Sequence, residues 1–155
     1  MLEKHTKAIG LMSGTSADGV DVAYIDTDGE EFVFFGPSQS FGFPRLLKDR
    51  LINTKVDDET NSIIEKDLTL FHFESVKKFM KINNLSKENI DLVGFHGHTI
   101  YHNPRDRVTV QLGDGKLLAR SLEIPVINDF RSEDMKNGGE GAPLAPIFHS
   151  VLAKT

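Results

Sequence analysis

The sequence predicts an α/β fold that opens with three antiparallel strands and continues through helices and crossover strands. Three observations carry this. Residues 8–35 are short apolar or alternating runs separated by polar turns. Over 60–83 the apolar spacing changes to a helical period. Beyond 90, short apolar runs suited to buried strands alternate with helical segments, the order expected of crossover connections.

The elements follow in order. The run 8–12 predicts a strand, and a second spans 20–25, where Val20, Val22 and Tyr24 alternate with Asp21, Ala23 and Ile25. Asp26-Thr27-Asp28-Gly29 predicts a tight turn, with Gly29 taking the positive φ that hairpin turns need. A third strand starts at 31–35 and runs past Gly36-Pro37 toward Phe41. A short helix covers 44–52, with Pro44 in its first turn. A longer one covers 60–83: Ile64, Leu68, Phe71, Val76, Phe79 and Ile82 share a face, Thr60 is its N-cap, and Asn83-Asn84 ends it. His72 lies beside that stripe as a core-edge histidine. Next come a strand at 90–95, a hairpin of 99–101 and 108–111 around Asn103-Pro104, a helix at 115–121 and a strand at 124–127. The glycine-rich 137–141 has no regular structure. Pro143 opens a last helix whose apolar face is Leu144, Ile147, Phe148, Val151 and Leu152, and which runs on to Lys154-Thr155.

Composition narrows the function classes. The 155 residues suit one domain or one lobe, and 39% hydrophobic with 26% charged residues is ordinary for a soluble globular protein. A net charge of -5 with no basic run argues against nucleic acid, and no stretch is apolar enough for a membrane span. Without cysteine there is neither a disulfide framework nor thiolate chemistry. The first residues lack the apolar core of a signal peptide, so a cytoplasmic location is expected.

Three polar segments can carry chemistry. The turn after the first strand places Gly14, Thr15, Ser16, Ala17, Asp18, Gly19, Val20 and Asp21 in sequence. The Gly14-x-x-x-x-Gly19 spacing imitates a P-loop, yet Val20-Asp21 stands where Lys-Ser/Thr belongs and a strand follows instead of a helix. Two readings stay open: a ligand-free hairpin loop, or a concave turn whose amides and hydroxyls hold phosphate while Asp18 or Asp21 holds Mg²⁺. His96, His98 and His102 are either a polar strand end or a weak metal cluster. Arg131 and Asp134, three apart, are either a surface ion pair or a cleft-lining pair that meets an anionic group and a hydroxyl.

Five ordered segments resemble one family. GLMSGTSADGVD is similar to the N-terminal signature of the 1,6-anhydro-N-acetylmuramic acid kinases. GFHGHTIYH, QLGD, DFRSEDM and GGEGAPL resemble that family's later motifs, with His98 and Glu140 at positions where the family usually carries Gln. The resemblance implies a ribonuclease-H-like lobe of the actin and sugar-kinase superfamily, in which the first hairpin turn contacts the phosphates of ATP. Residues 14–21 are then the ATP loop with Mg²⁺, and His96, His98, Arg131 and Asp134 are candidate contacts to anhydro-N-acetylmuramic acid. The implied reaction opens the 1,6-anhydro bond with water and phosphorylates O6, giving MurNAc 6-phosphate in cell-wall recycling. The family's base lies in an Asp-Thr-Gly-Pro-Gly-Asn segment that residues 1–155 do not contain, so the resemblance implies that it lies beyond Thr155. The expectation is therefore an N-terminal lobe of a two-lobed kinase, with the C-terminal lobe absent, no catalytic base and no activity alone, and a homodimer formed through the last helix. The alternatives are a non-catalytic remnant that binds sugar or a partner, and, more remotely, a zinc hydrolase using the histidines.

Overall fold

The computed structural model describes residues 5–57, 59–141, 148–150 and 153. Six strands form one sheet: β1 (Thr6–Ser13), β2 (Gly19–Thr27), β3 (Val33–Gly42), β4 (Leu92–Asn103), β5 (Val108–Leu112) and β6 (Val126–Asn128). The path is β3-β2-β1-β4-β5, with β6 also on β4. β1, β2 and β3 pair antiparallel, whereas β4 runs parallel to both β1 and β6. β6 takes Val93 to Phe95 and β5 takes His98 to Asn103, so the two lie end to end along the same edge of β4.

Alternation explains which face is covered. Ile9 and Leu11 of β1, Val20 and Val22 of β2, and Val93 and Phe95 of β4 are all buried. Against them pack α1 (Arg45–Asn53), α2 (Asn61–Ile82) and α3 (Gly115–Leu122) through Leu47, Leu51, Ile64, Leu68, Val76, Phe79, Leu118 and Leu122. A short α4 (Ser132–Lys136) follows β6 and buries Met135. No described helix is long and apolar enough to cross a membrane.

The structure corrects several expectations. The 26–29 turn is a longer connection: β3 begins only at Val33, and Asp28 Oδ1 accepts from the amides of Glu30, Glu31 and Phe32. Pro44 precedes α1 as its N-cap instead of lying within it. β3 does pass through Pro37, which an edge strand tolerates because no partner needs the missing N–H. Residues 90–103 are not two strands: β4 is continuous and bends at Gly97, whose φ is +73°. Of the last predicted helix, residues 148–150 are helical and Phe148 lies edge-on to Phe35 at 6.2 Å. Leu144, Ile147, Val151, Leu152, Lys154 and Thr155 lie outside the described residues, so the expected run of this helix to Thr155 does too.

His72 is not at the core edge but inside it, fully buried between Phe43 and Phe95. Its Nδ1–H donates to the Leu68 carbonyl at 2.8 Å, and Nε2 has no hydrogen-bond partner among the described residues. Burial pushes its pKa down from 6.5 to about 4. The unfolded chain therefore binds a proton between those values that the folded chain refuses. Stability is unaffected above pH ~6.5 and falls as pH drops to ~4, by about 3 kcal/mol for a shift of this size. In urea unfolding at pH 7 and pH 4.5, His72→Gln should lose measurably less stability on acidification than the parent chain.

Candidate functional site

The candidate residues gather at the carboxyl ends of the three mutually parallel strands, where open α/β sheets bind ligands. β1 ends at Ser13 and leads into residues 14–18; β4 bends at Gly97; β6 ends at Asn128 and leads into 129–131.

At the end of β1, a bond from the Ala17 amide to the Gly14 carbonyl (3.0 Å) closes a turn with Thr15 and Ser16 exposed at its tip. Ala17 has φ +50° and is fully buried, so its methyl anchors the turn in the core. Val20 is fully buried as well. Of the eight loop residues proposed from sequence, these two cannot present side chains to a ligand. Gly19 is required by packing, since a Cβ there would stand 2.2 Å from the Phe41 carbonyl of β3. Gly14 is different: its nearest neighbour would be Ser16 Oγ at 3.7 Å, so the fold leaves room for a side chain the sequence omits. Asp18 Oδ1 pairs with Lys48 Nζ of α1 at 2.5 Å, which, with a bond from Ser16, holds its carboxyl below the ordinary carboxylate range. Asp21 accepts from Ser40 of β3 on the exposed side of β2.

Around β4 the three histidines part company. His96 is half-buried. Arg131 can only donate, and its Nε–H reaches His96 Nε2 at 3.0 Å, so the neutral ring carries its proton on Nδ1 and directs it to the Gly97 carbonyl at 3.0 Å. Burial, with the Arg131 charge beside it, lowers the His96 pKa. His98 is buried and shares a 2.9 Å hydrogen bond with Ser13 Oγ, itself buried at the end of β1; burial lowers its pKa too. It therefore backs the site and does not line it. His102 turns to Thr109 Oγ1 at 3.2 Å. Among the described residues no three His, Cys, Asp or Glu side chains converge to hold a metal ion, so the zinc reading has no geometry to rest on.

Arg131 and Asp134 do not pair with each other. Arg131 donates through a terminal nitrogen to the Gly141 carbonyl at 2.9 Å, and Asp134 Oδ2 accepts from the Gly141 amide at 2.7 Å. Together they clasp one residue of the glycine-rich segment. A Cβ on Gly139 would stand 2.2 Å from the Asp134 carboxylate, so a side chain there would push that carboxylate off the Gly141 amide. Glu140 is exposed.

A cavity of about 300 Å³ opens in front of His96, lined also by Gln111, Gly113, Asn128, Asp129 and Ser132. Sequence reasoning did not single out Asn128, nor the two α2 side chains that hold the Gly113–Asp114 backbone beside the cavity. Glu65 Oε1 accepts from the Gly113 amide at 2.9 Å and Thr69 Oγ1 from the Asp114 amide at 3.0 Å. Glu65 and Thr69 carried a signal only as polar residues flanking an apolar stripe, which solvent exposure explains equally well.

Strand order and the placement of the candidate residues together define the class: a ribonuclease-H-like α/β lobe with a cluster of polar groups at the carboxyl ends of its parallel strands. The family model described as Anhydro-N-acetylmuramic acid kinase matches residues 6–155, and the chain belongs to that family. The anhydro-N-acetylmuramic acid kinase of Paramagnetospirillum magneticum is 46% identical over 146 residues, covering 94% of this chain and 41% of its own length. Those of Brucella canis and Nitrobacter winogradskyi are 45% and 43% identical, with 95% and 96% of this chain covered. The chain thus spans about two-fifths of the length of the curated relatives it matches. Among solved structures, YeaZ from Pseudomonas aeruginosa overlays 81% of this chain and 44% of its own at TM-score 0.35 and 15% identity.

The contrast between the two loop glycines can be measured. Gly19→Ala should destabilise the fold by at least ~2 kcal/mol, because a backbone carbonyl occupies the space. Gly14→Ala should stay within ~0.5 kcal/mol of the parent. Urea unfolding of both variants checks the pair.

Proposed function

We propose that this chain is the N-terminal lobe of a two-lobed, ATP-dependent kinase acting on 1,6-anhydro-N-acetylmuramic acid in the cytoplasm. The observation that carries the reading is the family match from residue 6 to 155. In the proposed reaction water adds across the anhydro bond, the freed O6 takes the γ-phosphoryl group of ATP, and ADP and MurNAc 6-phosphate leave. Phosphoryl transfer asks a protein chiefly for positioning and charge stabilisation, and this lobe is assigned both.

The residues present suit those tasks. Thr15 and Ser16 offer hydroxyls and amides at an exposed turn tip, and the missing side chain at Gly14 lets a phosphate approach the backbone. Mg²⁺ would neutralise phosphate charge there, with Asp18 and Asp21 as the carboxylates available to hold it, directly or through water. The cavity before His96 is assigned to the sugar. Arg131 keeps N–H groups beyond the two spent on His96 and Gly141, enough to meet the lactyl carboxylate of the substrate. Asp134 acts on the sugar through the Gly141 segment it holds, and His98 acts through Ser13. The base that activates water is assigned beyond the position of Thr155, to the part of the relatives' length this chain does not span.

A chimaera tests this reading. Residues 1–155 replacing the matching part of the Paramagnetospirillum magneticum relative should phosphorylate anhydro-N-acetylmuramic acid, while the 155-residue chain alone gives no turnover. Gly14→Val in the chimaera should lower kcat/KM for ATP ~100-fold or more. Parent-like kinetics in that variant would show that the phosphates bind elsewhere.

A further inference from the structure

A P-loop carries its own lysine immediately after its glycines, and that ammonium reaches the β- and γ-phosphates. Here residues 10–29 contain no Lys or Arg at all, and they carry Asp18, Asp21, Asp26 and Asp28. A turn meant for a polyanion is thus built on an acidic hairpin. The structure brings a cation to the turn from elsewhere in the chain. Lys48, thirty residues beyond Asp18, projects from α1 and sets Nζ 2.5 Å from Asp18 Oδ1. The approach of α1 is fixed by the backbone, since the Phe43 amide donates to the Asp18 carbonyl at 3.1 Å and Leu47 and Leu51 are buried in the core.

The pair itself does little for the fold. Its side chains are 37% and 72% exposed, and ion pairs so placed contribute little to stability. An ammonium has three donors, of which Asp18 occupies one. From this geometry we infer that Lys48 is the phosphate-contacting cation of the loop, tethered by Asp18 and supplied in space where a P-loop supplies it in sequence. The inference rests on residues 14–18 being the nucleotide phosphate loop. It adds a residue that neither the spacing of the loop nor its glycines indicate, and it gives Asp18 a second task beside any metal: holding the ammonium at the turn.

The test is calorimetric titration of the 155-residue chain with Mg·ADP and, separately, with inorganic triphosphate. Lys48→Gln should weaken both ~10-fold or more, Lys48→Arg should come back to within ~3-fold of the parent, and Lys55→Gln, which removes the same charge from beyond the end of α1, should change neither. Thermal midpoints should agree across the set, which separates a lost contact from a damaged fold. Binding that Gly14→Val abolishes but Lys48→Gln leaves intact overturns the role of Lys48 while the phosphate loop stands. Binding that survives both substitutions, or no binding by the parent chain, overturns both.

Discussion

The parallel pairing of β1 with β4 is the constraint on which the site depends. It sets the turn after β1 beside the bend of β4, and so brings residues 14–18 and the cavity before His96 to one edge of the sheet. The register between the two strands shifts just before Ser13, and there Ser13 Oγ and His98 Nδ1 close a buried hydrogen bond. Both partners are almost without solvent contact, so losing either would leave a buried polar atom unpaired. The bend at Gly97 makes the arrangement possible. It places His96 toward the cavity and His98 toward β1, two residues apart yet serving different sides of the site.

Polar groups fixed from below support the rest of the site. Glu65 and Thr69 rise from α2 to hold the amides of Gly113 and Asp114, and Asp114 in turn caps α3 through the Leu117 amide. Arg131 and Asp134 hold Gly141 from its two sides. Each clamp satisfies backbone groups that a loop would otherwise leave to water, and each fixes a loop position with hydrogen bonds.

Much of the fold was legible because alternation and helical period are local signals. β1, β2, β5, α2 and α3 stand close to where the sequence places them. The continuous β4 was not legible. Gly97 reads as a break in a strand pattern, and only the pairing of β4 with β1 on one side and with β5 and β6 on the other shows that it bends and continues. For the candidate site, the motifs marked segments that the fold brings to the same ends of the parallel strands, but not what each side chain touches. Ala17 and Val20 sit within the loop motif yet point into the core, and His98 lies in a histidine-rich stretch yet bonds to a serine 85 positions away. Arg131 and Asp134 have the spacing of an ion pair and instead share a third residue. Spacing reports which residues are near one another along the chain; partners far apart in sequence, such as Asp18 with Lys48 or Gly113 with Glu65, require the fold.

The central claim is that the turn proposed to hold phosphate and the cavity proposed to hold the sugar are one site joined through β1 and β4. Backbone amide NMR during titration of the chain with Mg·ADP tests it most directly. The account predicts shifts concentrated at residues 14–18, reaching through Ser13 and His98 to His96 and Gly97. Shifts that leave 13–18 untouched and fall instead on the groove between β3 and α2, at Ser40, Phe41, Phe71 and Lys78, would contradict it.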